Sequence, residues 1–350
     1  MFGIYRTGLA LMVMVHHLAY VPIIGHLAVH GFFILSGYLM TLILNKNYGY
    51  SLHGVSHYLI NRFLRLFPMY WLILLITCII LLIYGSDQAA VFRSHMFFPT
   101  NSIDWLQNIS LIYFDPFPGA VSPRLSPPTW ALTIELFFYA LIGMGLSRNK
   151  KITVIWFVLS LCYFIWSHYV GKPYSYRYSF ILAGSLGFSL GSLIYHYKQL
   201  LITTFFAKTD FYTLLLLTSL LLLNWSGAAV AHLVDAKKAI FYTFFYLNYV
   251  FNGLLILALI GYIPNKTMKK IDSILGDYSY PIYLIHWPIG FLCAMLFFRE
   301  PIVGAGLSTA INTIISIFFV FIISFFCIRI VDRPISKIRD QLRGPTIEKS

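Results

Sequence analysis

Long uninterrupted apolar runs recur along the whole chain of 350 residues, and no other feature constrains its folding as tightly. A hydrocarbon core about 30 Å thick is crossed by roughly 20 apolar residues in a helix rising 1.5 Å per residue. Runs of this kind fall near 5–22, 26–45, 67–84, 129–146, 152–169, 176–195, 210–225, 239–262, 277–298 and 304–330. The seventh is short and 102–114 is only half apolar enough, so the expected number is about ten, between nine and eleven. The runs are continuous and rich in Leu, Ile and Phe, unlike the alternating strands of outer-membrane barrels. An all-α polytopic membrane protein follows. Charged residues make up 11% of the chain where soluble domains carry roughly 25%, which excludes an ordinary soluble fold.

The few charges are lopsided, 25 Lys and Arg against 12 Asp and Glu. A basic excess raises nucleic acid as a partner, but in a membrane chain it first tests orientation. With the N-terminus, the loops 46–66, 147–151, 196–209 and 263–276 and the tail from Arg329 in the cytoplasm, that side holds 18 of the 25. Arg93, Arg124, Lys172, Arg177, Lys237, Lys238 and Arg299 fall on the other side. The positive-inside bias therefore puts both termini in the cytoplasm and leaves no nucleic-acid footprint. Residues 1–335 read as one transmembrane domain and 336–350 as a short basic tail. Arg6 precedes an apolar stretch, but no small-residue cleavage site follows, so the first helix is expected to stay uncleaved. Cys78, Cys162, Cys293 and Cys327 lie inside apolar runs and read as packing residues. The stretch 85–128, dense in Pro and aromatics, reads as a compact loop near a site mouth.

Ionisable groups inside a bilayer cost several kcal/mol each, so each one is a functional candidate. Arg6 and His17 are eleven residues apart; at ~100° per residue they share a helix face, separated by about 16 Å along the axis. His17 then lies past mid-membrane, either as a packed, hydrogen-bonded imidazole or as a base. Arg62 and Arg65, three apart before Pro68, are either positive-inside anchors or a guanidinium pair for phosphate. Pro68 marks a helix start or a kink. Glu135 falls inside the span that begins behind Pro127 and Pro128 and needs a cationic or hydrogen-bonding partner. His286 lies near mid-membrane between Pro281 and Pro288, which imply local backbone breaks. His26 and His30, like His53 and His57, have i, i+4 metal-ligand spacing but no third ligand nearby, so no metal is expected. No P-loop, dinucleotide fingerprint or Gly-x-Ser-x-Gly elbow is present.

These residues together resemble the acyltransferase-3 family of polytopic membrane O-acyltransferases. Arg6 and His17 match its Arg-x10-His signature, and Val29 to Tyr38 is similar to its Phe-Phe-x-x-Ser-Gly-Phe segment, with Ser36 at the serine. Arg62 and Arg65 with Pro68 resemble Arg-x-x-Arg, Trp130 to Glu135 resembles Trp-Ser-Leu-x-x-Glu, and Ser279 to His286 resembles Ser-Tyr-x-x-Tyr-Leu-x-His. Val331-Asp332-Arg333-Pro334 is similar to the acidic-Arg-Pro ending. Gly3 stands where the family usually has an acidic residue, Ala131 where it has Ser, and Ala28 where Gly is common. No fused hydrolase-like domain is present, so a standalone enzyme is expected.

The resemblance implies transfer of an acyl group, usually acetyl, from cytoplasmic acyl-CoA to a hydroxyl of an extracytoplasmic or lipid-linked saccharide. Acyl-CoA is then a substrate, and no bound cofactor is implied. Arg6, Arg62 and Arg65 suit the donor's phosphates, and His17 suits a general base. Glu135 is expected to orient or charge-stabilise His17, and His286 to bind the thioester carbonyl or act as a second base. Ser36, Trp130 and Tyr283 are expected to shape the acceptor side. The family's usual distribution implies a bacterial inner membrane. The alternative is a secondary transporter with a mid-membrane polar site, which predicts internal repeats that the sequence lacks.

Overall fold

In hydrocarbon every backbone N–H must find its partner within its own segment, so apolar runs can only become helices. The computed structural model describes residues 1–206, 209–234 and 238–342 and contains no strand among them. The helices are α1 (Phe2–Leu18), α2 (Ile24–Ile43), α3 (Leu52–Tyr84), α4 (Ser86–Phe92), α5 (Ser102–Ser110), α6 (Trp130–Gly143) and α7 (Lys150–Tyr169). They continue as α8 (Ser175–Tyr178), α9 (Gly184–Phe205), α10 (Phe211–Leu233), α11 (Lys238–Gly261), α12 (Lys266–Phe297), α13 (Leu307–Cys327) and α14 (Arg333–Gln341). Each of the apolar runs named above is helical over most of its length. Among the described residues, seven helical segments are long and apolar enough to cross a membrane, built on α2, α3, α7, α10, α11, α12 and α13. Of the rest, α1 has 17 residues, α6 has 14, and α9 carries a polar end at His196, Lys198 and Gln199. Lys208, Lys237, Arg343 and Lys349, which enter the charge balance, lie outside the described residues, as does the tail over 343–350. Residues 336–341 continue α14.

Large apolar side chains are exposed along α3, α7, α10 and α13, among them Leu75, Ile79, Leu82, Leu159, Leu223 and Ile314. Water would not tolerate that much contiguous apolar surface; lipid does. The polar residues are turned inward instead. Asn248 and Asn252 are fully buried on α11. Asn252 accepts from the Tyr5 hydroxyl of α1, while Asn248 accepts from the Trp225 indole of α10 and donates to the Leu27 carbonyl of α2. Such interhelical bonds in a bilayer are worth about 0.6 kcal/mol each on average, so their value here is mainly in fixing register.

The most extensive helix contacts are α1 on α12 and α2 on α9. Both depend on missing side chains, as close helix crossings in membranes generally do. A Cβ on Gly3 would lie 1.8 Å from the Asp272 carbonyl oxygen, and one on Gly191 1.9 Å from that of Ile34. The Gly3 departure from the family pattern thus has a local cause: α1 crosses α12 there with no room for a side chain. Ile4 N–H, one residue on, donates to the Asp272 carboxylate at 2.8 Å.

Of the two readings of Pro68, the helix start is corrected and the position inside a helix stands: α3, 33 residues long, begins at Leu52 and contains it. Arg62 and Arg65 therefore sit on a helix, not in a loop. Pro281 and Pro288 likewise lie within an unbroken α12. Pro288 has no N–H for the Leu284 carbonyl one turn back, and the buried Ser126 hydroxyl donates to it instead at 2.9 Å. A neighbouring side chain restores what the proline removes.

That serine belongs to the compact segment 85–128. Asn108 organises it, donating to the carbonyls of Asp104 and Pro123 and accepting from Leu125 N–H. Its own carbonyl takes the Tyr70 hydroxyl from α3. The buried Arg124 guanidinium spends its donors on the carbonyls of Pro118, Gly119, Val121 and Pro127.

Candidate active site

The structure divides the expected site residues into two groups stacked along α1 and α12. The first surrounds a cavity of about 120 Å³ whose walls include Arg6, Ser36, Arg62, Arg65, Glu135 and Tyr283. Three arginines and one carboxylate thus face one small space. Arg65 is held by an ion pair with Asp332 at 2.8 Å. Arg62 donates to Asn61 Oδ1 at 2.7 Å, and the same asparagine donates to the Arg339 carbonyl of α14. Arg6 approaches the Gly276 carbonyl at 3.5 Å. The Nε atoms of Arg6 and Arg62 are buried without a partner. Buried cationic donors left unpaired are costly, and an anion entering the cavity would relieve that cost. A second, shallower cavity shares Arg6 and Leu39 and opens beside Met1, Asp272 and Asp277.

Glu135 faces these arginines with both oxygens occupied. Ser36 donates to Oε1 at 2.9 Å and Tyr139 to Oε2 at 3.1 Å. The sequence alone gives Tyr139 no motif, although its position four residues after Glu135 puts it on the same helix face. Tyr283 closes the far wall, its hydroxyl donating to the Pro128 carbonyl at 2.8 Å.

The second group lies about one turn further along α12 from Tyr283. His17, the penultimate residue of α1, places Nδ1 2.9 Å from His286 Nε2, with the two rings stacked at 5.1 Å. His286 Nδ1 lies 3.1 Å from the Ile282 carbonyl, which can only accept. That fixes the neutral tautomers. His286 carries its proton on Nδ1, so its Nε2 accepts from His17 Nδ1–H, and the free lone pair of His17 is on Nε2. Among the described residues no hydrogen bond reaches that nitrogen. His17 is therefore held in place by a second imidazole with its Nε2 lone pair free, and His286 is itself aligned by the backbone.

Here the partner differs from expectation. The group that orients His17 is His286, not Glu135, whose bonds go to Ser36 and Tyr139. His286 also has both nitrogens engaged and is fully buried, which leaves it no donor for a thioester carbonyl. Trp130 stands apart from the arginine cavity. It packs edge-on against Tyr178 at 4.8 Å, and Tyr178 stacks on His26 at 3.9 Å. His26 meets His16, and His16 meets His17, each at 4.9 Å. Trp130 thus joins the imidazole group through a run of rings. His30 bonds the Tyr249 hydroxyl at 2.7 Å, and the His53 and His57 rings pack on each other at 4.0 Å.

A family model described as an acyltransferase domain, that of acyltransferase-3, matches residues 4–329. A Bacillus subtilis (strain 168) protein named as a peptidoglycan O-acetyltransferase, YrhL, is 29% identical over 150 residues. That match covers 39% of this chain and 23% of the relative, so the chain spans about a quarter of that protein's length. No solved structure matches. With the family model running through both halves of the site, from Arg6 to His286, the chain belongs to the acyltransferase-3 family and is a multi-pass membrane protein.

Proposed function

We propose that this enzyme is an O-acetyltransferase that carries an acyl group from cytoplasmic acyl-CoA to a hydroxyl of an extracytoplasmic or lipid-linked saccharide. The observation that carries the reading is the stacking of an arginine cavity beneath an aligned, unprotonated imidazole nitrogen. Arg6, Arg62 and Arg65 receive the phosphates of the donor, and the cavity at about 120 Å³ takes a narrow part of it only, since drug-sized sites run from about 300 Å³ upward. Glu135 balances the arginines and holds the Ser36 and Tyr139 hydroxyls; it acts on the donor side. The donor's flexible arm then spans the distance from Arg6 to His17, about 16 Å along α1.

At the imidazole pair the acceptor hydroxyl gives its proton to His17 Nε2 while its oxygen attacks the thioester carbon. A C–O bond forms and the C–S bond breaks. The thiolate leaves and takes the proton from His17. During the step His286 accepts from His17 Nδ1–H and, through Ile282, keeps the ring from turning. About ten helices cross a bacterial inner membrane in this reading, with both termini cytoplasmic and the imidazoles toward the outer face.

Mass spectrometry of surface glycans from wild-type and deletion cells tests the proposal. The expected result is one acyl mass lost per modified sugar in the deletion; identical glycans would contradict it.

A further inference from the structure

One cation close to His17 is left without an anion by the protein. Arg93, in the loop after α4, lays its guanidinium over the Trp287 ring at 4.9 Å, and the same indole packs on the His17 ring at 5.1 Å. A single indole separates the guanidinium from the base. No carboxylate pairs with Arg93, its Nε is buried without a partner, and no hydrogen bond reaches its amino groups among the described residues. Trp287 Nε1 and His95 Nδ1 are buried and equally unpartnered. Arg124, nearby in the same segment, shows the contrast: four backbone carbonyls satisfy it and it holds the loop together. Arg93 does no such work. Burial, with Arg124 and Arg93 adding to it, pushes His95 down to about 4, so at neutral pH that imidazole adds no charge beside Arg93.

A half-buried guanidinium is desolvated at a cost that a bound anion returns, and its planar fork suits an oxyanion. On the basis of the acyl-transfer reading above, we propose that Arg93, backed by Trp287, anchors an anionic group of the acceptor, making the acceptor an acidic saccharide. The anion and the reacting hydroxyl are then about one ring apart, on the same or adjoining sugar units. Carboxylate and phosphate share the required chemistry. Trp287, itself buried, fixes the spacing between Arg93 and His17, while Arg93 selects by charge.

The test uses the full-length protein in lipid nanodiscs and three probes of similar size: glucose, glucuronic acid and glucose 1-phosphate, with binding measured by calorimetry. Both acidic sugars, or one of them, should bind at least tenfold more tightly than glucose; which of the two does identifies carboxylate or phosphate. Arg93→Gln should abolish the preference and Arg93→Lys should keep part of it, which a merely structural role would not produce. Equal binding of glucose and both acids, or an unchanged preference in Arg93→Gln, would overturn the anchor. Acetyl transfer from acetyl-CoA to the same sugars is followed in parallel. Transfer without charge preference leaves the acyl-transfer reading standing and removes only the Arg93 inference. Arg93-dependent binding with no transfer to any sugar overturns the acyl-transfer reading, and the acceptor role of Arg93 with it.

Discussion

In the proposed mechanism His17 serves as a base because of what holds it. A free imidazole divides its proton between two nitrogens and rotates; this one donates from Nδ1 to His286, which donates to the Ile282 carbonyl. His17→Ala removes the proton acceptor and should lower the transfer rate by at least about 10²-fold, as loss of a general base usually does. His286→Ala leaves the base but frees its ring, and should cost less in rate than His17→Ala; a larger loss would make His286 the base. Both variants are to be compared in the same transfer assay with protein confirmed as monodisperse. The Arg-x10-His spacing makes Arg6 and His17 legible in the sequence, since helix geometry alone puts them on one face. Their partners are not legible there. His17 and His286 are 269 residues apart in sequence, and only the packing of α1 on α12 joins them. Similar depth in the membrane suggests Glu135 as a partner of His17, but depth along two different helices says nothing about which face each presents. Arg93 gave no sequence signal at all beyond its charge, because a loop arginine is ordinary until its missing partner is seen.

Between helices, two contacts carry the site. The Arg65–Asp332 pair joins α3 to the π-helical turn that precedes α14 and holds the Arg65 guanidinium at the cavity wall. If Asp332 acts through Arg65, then Asp332→Asn and Arg65→Gln should each raise the KM for acyl-CoA, and the double variant should be no worse than the weaker single. Additive losses in a double-mutant cycle would show two independent roles. The Ser126–Leu284 bond repairs α12 at Pro288, and Leu284 and Pro288 each stand two residues from His286. Ser126→Ala leaves a buried carbonyl unpaired and should cost about 1–3 kcal/mol, read as a lower unfolding midpoint in detergent. An unchanged midpoint would mean that the carbonyl finds another donor. Helix existence was readable from apolar length, because lipid admits little else. The prolines misled in a specific way. Their lost bond is a local property, while the hydroxyl that replaces it arrives from a segment more than a hundred residues away.

Over the whole molecule, the two halves of the site must face opposite sides of the bilayer for a cytoplasmic donor to reach an outer acceptor. The charge bias predicts which side is which. Cysteines placed at the exposed positions Lys150 and Glu300 should react with a membrane-impermeant maleimide from opposite sides, Lys150→Cys only after the cytoplasm is opened. Labelling of both in intact cells would break the proposed orientation. The central claim is that His17, as the base that takes the acceptor's proton, enables acyl transfer from donor to sugar, and reconstituted proteoliposomes supplied with radiolabelled acetyl-CoA and an acidic saccharide test it most directly. Label should appear in ester linkage on the sugar with the wild-type protein and fall to background with His17→Ala; transfer by His17→Ala at the wild-type rate would contradict the account.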